Sequence, residues 1–448
     1  MISKPVKVSW GIGAVGVALL MNSVGFLALF YMIGILSIEP AVAGAIIFVT
    51  KIFDVLSDPL VGGWSDSLKV NKSRRRPFLF FGAIISALSF VMIFTTPVFD
   101  NQIWSIAYIF LALSIYTIGY TIFNVPYMAM PAEMTDNYHE RSSIHAYRMV
   151  FVAIGSLMAV SLGPLLLEKL GRESWSSYAV LGVGGAVIIF ITMIIAWLGT
   201  STARFTTAPV ETPKLLSEMA YVFKNKFFIR LLGVKALLLF GTAAMNAAFV
   251  FYFLHVLRYG MDTIAFYGTV LVITSIIASP FLVNLSQRIG KRLTFVFAAL
   301  CMSISFGSWV FAGPEEPMWA VIIRAMLIGI GGAGNIIMAM SMLTDIVNFD
   351  AQSSGVRREG IFTAFYSFTE KFTFALGPLV VGVAMSLVGF DQNLEPEQLQ
   401  SPAIRQALLL GVCYIPAVCC FLSIFVLWGY RLTKEDVDVD FAVVQAAE

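Results

Sequence analysis

The stretch Lys51-Ile52-Phe53-Asp54-Val55-Leu56-Ser57-Asp58-Pro59 runs on through Gly62-Gly63-Trp64-Ser65-Asp66 to the basic cluster Arg74-Arg75-Arg76. It decides the fold because the chain carries its frame twice. Ser275, Ser279 and Pro280 keep the offsets of Asp54, Asp58 and Pro59, and lead into Leu285-Ser286-Gln287-Arg288-Ile289-Gly290-Lys291-Arg292. A fainter echo sets Asn124 with Met128-Ala129-Met130 against Asn335 with Met338-Ala339-Met340. The two copies fall in the second and eighth of twelve apolar runs, which start with Trp10 to Leu36 and end with Ala407 to Tyr430. Between them lie runs near 40–65, 77–97, 103–131, 146–168, 176–199, 227–257, 264–285, 294–313, 318–344 and 360–389. A bilayer core about 30 Å thick takes about 20 apolar residues per helix. The runs are long and continuous, unlike the short alternating strands of a membrane β-barrel. The predicted fold is an all-α membrane protein, with twelve transmembrane helices in two pseudo-symmetric six-helix halves. Residues 1–199 form the N-terminal bundle, 200–226 a polar cytoplasmic linker with Pro209 and Pro213, 227–430 the C-terminal bundle and 431–448 a cytoplasmic tail.

Composition agrees. Of 448 residues, 58% are hydrophobic and 12% charged, where a soluble domain has roughly a quarter charged; mean hydropathy is +0.85. With loops assigned alternately, one side receives Lys4, Lys7, Lys69, Lys72, Arg74–Arg76, Arg141, Arg148, Arg204, Lys214, Lys224, Lys226, Arg230, Arg288, Lys291, Arg292, Arg357, Arg358, Arg431 and Lys434. The other receives Lys169, Arg172, Arg258 and Arg405. The positive-inside rule then places both termini in the cytoplasm. The first run is too long for a signal peptide and lacks a clear cleavage pattern, so it reads as the first span. Cys301, Cys413, Cys419 and Cys420 all fall in apolar runs and imply neither a disulfide framework nor a metal site. No zinc spacing, P-loop or nucleophile elbow is present. Neither an enzyme nor a nucleic-acid partner is expected, and no cofactor. The expected partners are the lipid bilayer and a small-molecule substrate, with nothing that demands more than a monomer.

Lys51, Asp54, Ser57 and Asp58 share one face of a helix at spacings of three and four. Each charge near the middle of a span costs roughly 2.5–3.5 kcal/mol on insertion scales. One account is that Lys51 neutralises an aspartate and the cluster pins helix packing. The second half argues otherwise, because it keeps the frame with serines in place of both aspartates. The acids therefore serve a function of the first half. A carboxylate pair with a nearby hydroxyl supplies oxygen ligands for a small hard cation, or a proton site. One lysine cannot balance both acids, so a cation or proton is the natural completion.

That second-span motif resembles the glycoside–pentoside–hexuronide:cation symporters of the major facilitator superfamily. So do Tyr120-Thr121-Ile122-Phe123-Asn124-Val125-Pro126-Tyr127 with Glu133, Glu140-Arg141 and Arg148, and Asp345-Ile346-Val347 with Arg357-Arg358-Glu359-Gly360 and Lys371. The matches run in order from the first span to the eleventh. The resemblance implies a secondary symporter working by alternating access, in a bacterial inner membrane, coupled to Na+, Li+ or H+. It implies a cation site at Asp54, Asp58 and Thr121, with Ser57 where the family's best-studied sugar carrier has an asparagine. If the ion is a metal rather than a proton, Asp54 and Asp58 are its acidic ligands. Lys371 matches a lysine that faces the aspartates across the cavity and alternates with the cation as their partner.

The departures bear on the substrate. That carrier grips its sugar with aspartates on the first and fourth helices, where this chain has Ala18 and Asn124, and stacks it on a tryptophan, where this chain has Met128. Asn22, Asn124, Met128, Arg148 and Lys371 are the substrate-cavity residues expected here, with Ser23 a further polar group of the first helix. Lys51, Asp66, Glu133, Arg141, Asp345 and Arg358 are expected to couple or gate, by pairing charges that close one mouth of the bundle. Lys235 and Arg324 also sit in apolar runs. They either snorkel to an interface or enrich the cavity in cations and favour an anionic or amphipathic substrate. His139 and His145 read as loop residues, and Gly329 to Gly334 as a site of close packing. Two alternatives stand beside the symporter: a lysolipid or amphipathic-anion carrier of the same superfamily, and a membrane sensor or assembly factor that moves no solute. Binding of single-chain lipids would mark the first, and absence of cation binding the second.

Overall fold

The computed structural model describes residues 2–67, 75–135, 138–201, 222–314, 316–354, 358–390, 402–430 and 432. Arg74, Arg357, most of the expected linker and tail, and the side chains of Asp66, His139 and Arg141 lie outside the described residues. Among the described residues every regular element is helical, and twelve helices are long and apolar enough to cross a membrane. They are α1 (Lys4–Gly34), α2 (Pro40–Ser67), α3 (Arg76–Phe94), α4 (Gln102–Met134), and α5 (Tyr138–Leu157, a π-helical turn Met158–Leu162, then Gly163–Leu170). After α6 (Trp175–Gly199) come α7 (Lys226–His255), α8 (Met261–Ile289), α9 (Lys291–Ser308, ending in the 3-10 turn Trp309–Phe311) and α10 (Met318–Ser354). The last two are α11 (Glu359–Leu387) and α12 (Pro402–Leu409, a π-helical turn Leu410–Tyr414, then Ile415–Trp428).

Local chemistry sets the starts of these helices. Asn101 accepts a hydrogen bond from the Ile103 N–H at the head of α4, and Asn225 accepts from Phe227 and Phe228 at the head of α7. α1 and α3 carry a proline in the first turn, where a missing N–H costs nothing. At the N-terminus, Glu140 accepts from the Thr135 hydroxyl at 2.8 Å and the Ile2 N–H at 2.9 Å, and these contacts hold its carboxyl below the usual range. The repeat shows in the backbone itself. Ser37 and Arg258, both at positive φ in the turns after α1 and α7, are related by the same offset that links Asp54 to Ser275 and Pro59 to Pro280.

Helices α1–α6 pack on one another, as do α7–α12, except that α2 packs most extensively on α11; the two sets also meet through α5 with α8 and α1 with α7. The meeting is closest at the end of the bundle away from the termini. There α2 and α11 approach through two glycines: a Cβ on Gly44 would come to 2.5 Å of the Pro378 carbonyl oxygen, and one on Gly382 would strike that of Pro40. On the other side, a Cβ on Gly268 of α8 would sit 2.8 Å from the Val160 carbonyl oxygen of α5. Each contact is finished by a cap that crosses between halves. Ser386 at the end of α11 accepts from the Ala41 N–H of α2 at 2.9 Å, since Pro40 has no N–H to offer. Glu168 at the end of α5 accepts from the Met261 N–H of α8 at 2.8 Å. Each cap satisfies a helix N-terminus that would otherwise be an unpaired donor, and the glutamate adds a charge–dipole attraction. Phe26 against Phe249 and Phe30 against Phe251 fill the space between α1 and α7.

Closure of this end is therefore sensitive to added bulk and to loss of a cap. Gly382→Val adds atoms where the Pro40 backbone already lies, and overpacking of this kind costs roughly 1–3 kcal/mol. Glu168→Ala removes a cap worth roughly 0.5–2 kcal/mol. Both are expected to raise, several-fold, the rate at which a water-soluble maleimide labels a cysteine placed at Ala43, which is fully buried at this end. An unchanged rate in both would show that other contacts hold the end shut.

Candidate functional site

The polar centre lies where α2, α4 and α11 meet. Pro59 lies within α2 one turn beyond Val55 and removes the N–H that the Val55 carbonyl would otherwise accept. Just ahead of it, Asp54, Ser57 and Asp58 face Thr121 of α4. The Thr121 Oγ1 lies 3.0 Å from Asp54 Oδ1 and 3.2 Å from Asp58 Oδ1. Ser57 Oγ is 3.3 Å from Thr121 Oγ1 and 3.0 Å from the Asp54 carbonyl oxygen. The threonine has one proton and two carboxylates to serve, so the cluster is rich in acceptors and poor in hydroxyl donors.

Two lysines supply the balance. Lys371 reaches across from α11 and places its Nζ 3.0 Å from Asp54 Oδ1 and 2.6 Å from Asp58 Oδ2. Lys51 lies 3.5 Å from Asp54 Oδ2, an oxygen that is buried without a hydrogen bond among the described residues. The Asp54 side chain is 1% exposed and that of Asp58 26%, so the first acid is sealed and the second is partly open. Two aromatic rings complete the wall: Lys51 Nζ is 5.3 Å from the Tyr116 ring centre, and Lys371 Nζ is 5.7 Å from that of Tyr120. Lysine–aspartate balance is thus reached by Lys371, a partner from the opposite half that counting charges within α2 could not supply.

The other residues singled out in the sequence are distributed around this centre. Asn124 donates to the Tyr120 hydroxyl at 3.3 Å and keeps its Oδ1 unpartnered among the described residues. Asn22 donates to Ser156 Oγ at 2.9 Å, Met128 is exposed, and Ser23 is buried. Arg148 on α5 lies beside the Tyr127 hydroxyl, and among the described residues no carboxylate is within ion-pair distance of it. The residues expected to gate form pairs within a half: Arg75 with Glu133 at 3.0 Å, Lys291 with Asp345 at 2.6 Å, and Arg358 with Asp350 at 3.3 Å. In this structure none of these three pairs bridges the halves. The first two occupy corresponding places, since each ties the segment after α2 or α8 to α4 or α10.

Two residues whose placement the sequence left open are settled by their partners. Arg324 is not a cavity cation. It is buried near the far end, 2.7 Å from Glu316, donating to Ser308 Oγ at 2.7 Å and lying 4.4 Å from the Trp309 ring centre. Lys235 neither snorkels nor stands free: it donates to the Tyr366 hydroxyl at 2.8 Å and pairs with Glu370 at 3.5 Å. Glu370 and Tyr116 were not singled out by the sequence reading. A signal for Glu370 existed, because a carboxylate within an apolar run, next to Lys371, carries the same insertion cost as Asp54. Tyr116 gave none, since an aromatic in an apolar helix is ordinary.

With fold and geometry in hand, the comparisons with known proteins are specific. The chain matches a family described as MFS/sugar transport protein over residues 9–434. It is 26% identical over 444 residues to an uncharacterized symporter, YnaJ, of Bacillus subtilis, covering 97% of this chain and 93% of that protein. It is 26% identical over 417 residues to a glucuronide carrier protein homolog of Escherichia coli, covering 90% and 87%. An isoprimeverose transporter of Lactiplantibacillus pentosus is 23% identical over 412 residues, covering 91% and 84%. Among solved structures, a bacterial homolog of the human lysosomal transporter Spinster, inward-facing and unoccupied, superposes with TM-score 0.67 at 16% identity, covering 97% of this chain and all of that one. The nucleoside transporter NupG gives 0.68 at 14% identity. The fold is thus that of the major facilitators, the chain is a transporter and not an enzyme, and it belongs to the MFS/sugar transport protein family of symporters.

Proposed function

We propose that this symporter couples a small cation, Na+, Li+ or H+, to uptake of a small hydroxylated solute, with Asp54, Ser57, Asp58 and Thr121 as the cation site. The observation that carries the reading is the position of the Lys371 ammonium between the two carboxylates. Charge buried at this depth must be compensated, and the acceptor oxygens around Lys371 are the hard ligands that a small cation takes. A cation entering among Asp54, Asp58 and Thr121 frees Lys371, whose link between the halves is then cut. Cation and ammonium are alternatives at one place, and their exchange couples ion binding to movement of one half against the other. The structure is closed at the far end, which fits a state with access from the side bearing the termini. We assign that side to the cytoplasm of a bacterial inner membrane, from the distribution of Lys and Arg.

For the solute, Arg148 favours an acidic group, because it lacks a carboxylate partner among the described residues. Two relatives are named for a glucuronide and for isoprimeverose, which fits a sugar-like ligand. Glu133, Asp345 and Arg358 remain candidates for charge pairs that re-form across the halves when the near mouth closes, together with Asp66 and Arg141.

Reciprocal coupling requires that cation and solute raise each other's affinity equally. Asp58→Asn is therefore expected to abolish cation-dependent uptake in proteoliposomes and to weaken solute binding together. Cation-driven uptake at the wild-type level in that variant would refute the site. Lys371→Met removes the competing ammonium and leaves two acids for the cation. At pH 8 its sodium affinity is expected to rise by roughly tenfold or more, as two carboxylates left with Lys51 alone favour an added positive charge. A lower sodium affinity would mean that Lys371 assembles the site rather than competing for it.

A further inference from the structure

Glu370 carries a charge that the cation site does not use. Its side chain is 48% exposed. A carboxylate at membrane depth is tolerated against a water-filled cavity or the bundle interior, not against lipid. The α11 backbone turns it toward α7, where Lys235 meets it at 3.5 Å. Lys235 is itself buried and fixed by the Tyr366 hydroxyl, one turn before Glu370. The lysine is the hidden partner and the carboxylate the displayed one, close enough to Tyr120 of α4 to act on its hydroxyl, so an acceptor is held out beside the polar centre by a buried cation.

The repeat gives this position a counterpart. Gly155 of α5 and Gly377 of α11 play the same part, each pressed on the first helix of its own half: Gly155 against Val15 and Ala18, Gly377 against Ala243 and Ala244. About two turns ahead of each glycine stand Arg148 and Glu370, respectively. The pseudo-symmetry therefore sets a cation without an acid partner, among the described residues, against a displayed carboxylate on the matching helix of the other half. A cavity built in this way distinguishes the two ends of its ligand.

We propose that Glu370 is a specificity-determining residue that accepts hydrogen bonds from solute hydroxyls, while the acceptor or acidic end of the same solute lies toward Arg148. The substrate class is then a glycoside or sugar acid bound in one orientation, with a vicinal hydroxyl edge on the carboxylate. A charged acceptor gives a stronger hydrogen bond than a neutral amide of the same shape. Lys235 is a positioning residue in this arrangement. The inference rests on the symporter reading above, and the test separates the two.

The experiment uses purified full-length protein in sodium. Thermal stabilisation is titrated with methyl glycosides of glucose, xylose and glucuronic acid and with their monodeoxy analogues, for wild type, Glu370→Gln and Asp58→Asn. Glu370→Gln is expected to lose affinity about tenfold for the best glycoside and to keep the full sodium response. One deoxy analogue should be penalised in wild type and bind no worse than its parent in Glu370→Gln. A deoxy series that ranks identically in the two proteins overturns the role of Glu370, as does a variant that loses stability and the sodium response together, the mark of a helix staple between α7 and α11. Wild type that responds to no glycoside overturns the substrate class along with the role of Glu370, and a sodium response that survives in Asp58→Asn overturns the underlying cation site.

Discussion

Everything in this molecule is arranged around a lysine ammonium held between two carboxylates from the opposite half of a membrane protein. The contact has no equivalent elsewhere among the described ion pairs, since the others that join two helices each lie within one half. In hydrocarbon the four charges of Lys51, Asp54, Asp58 and Lys371 would each be costly. Together they cancel, and a pair removed from water is strongly harmed when one partner is lost. That penalty is what suits the cluster to the switching role proposed for it. On the proposed reading, Lys371 leaves only when another positive charge, or a proton, takes its place, and the link between the halves then depends on the occupancy of the site.

The rest of the fold makes that link consequential. At the far end, glycines let the backbones of α2 and α11, and of α8 and α5, come within touching distance, and caps from Ser386 and Glu168 complete the joins. The α2–α11 join is among the most extensive helix contacts in the molecule, and both joins end in a polar cap that can part and re-form. The two joins are related by the repeat but are not alike, one closed by a hydroxyl and the other by a carboxylate. The central site is more unequal still, with aspartates in α2 and serines in α8. Ser275 and Ser279 spend their hydroxyls on backbone carbonyls of Leu271, Gly329 and Ser275, which is the packing role that the frame needs when it binds nothing. That contrast supports the view that Asp54 and Asp58 are present for chemistry.

Much of this was legible in the sequence. The twelve apolar runs, the doubled motif and the shared face of Lys51, Asp54, Ser57 and Asp58 follow from residue type and period alone, and the runs match the helices to within a few residues, apart from long polar extensions such as the end of α10. Lys371 entered through resemblance. Its reach to both acids is a tertiary fact, set by how α11 crosses α2. Partnering was the hidden part. Lys235 looked like a spare cation because its acid, Glu370, lies far away in the chain, and Arg324 because Glu316 sits in the polar segment ahead of α10, outside the apolar run. Likewise Glu133, Asp345 and Arg358 carry charges suited to a gate, yet which half each one pairs with depends on loops that sequence periodicity does not describe.

The central claim is that a cation and Lys371 compete for one pair of carboxylates. The most direct measurement is the thermal stability of the purified protein in matched ionic strength of sodium, lithium and potassium across pH, for wild type and Asp54→Asn. A ligand that binds only the folded state raises the midpoint in proportion to the logarithm of its concentration above Kd. The account predicts that the wild-type midpoint rises with sodium or lithium and not with potassium, or with falling pH alone if the ion is a proton, and that Asp54→Asn loses the response. Identical curves in all three salts and at every pH for both proteins would contradict it.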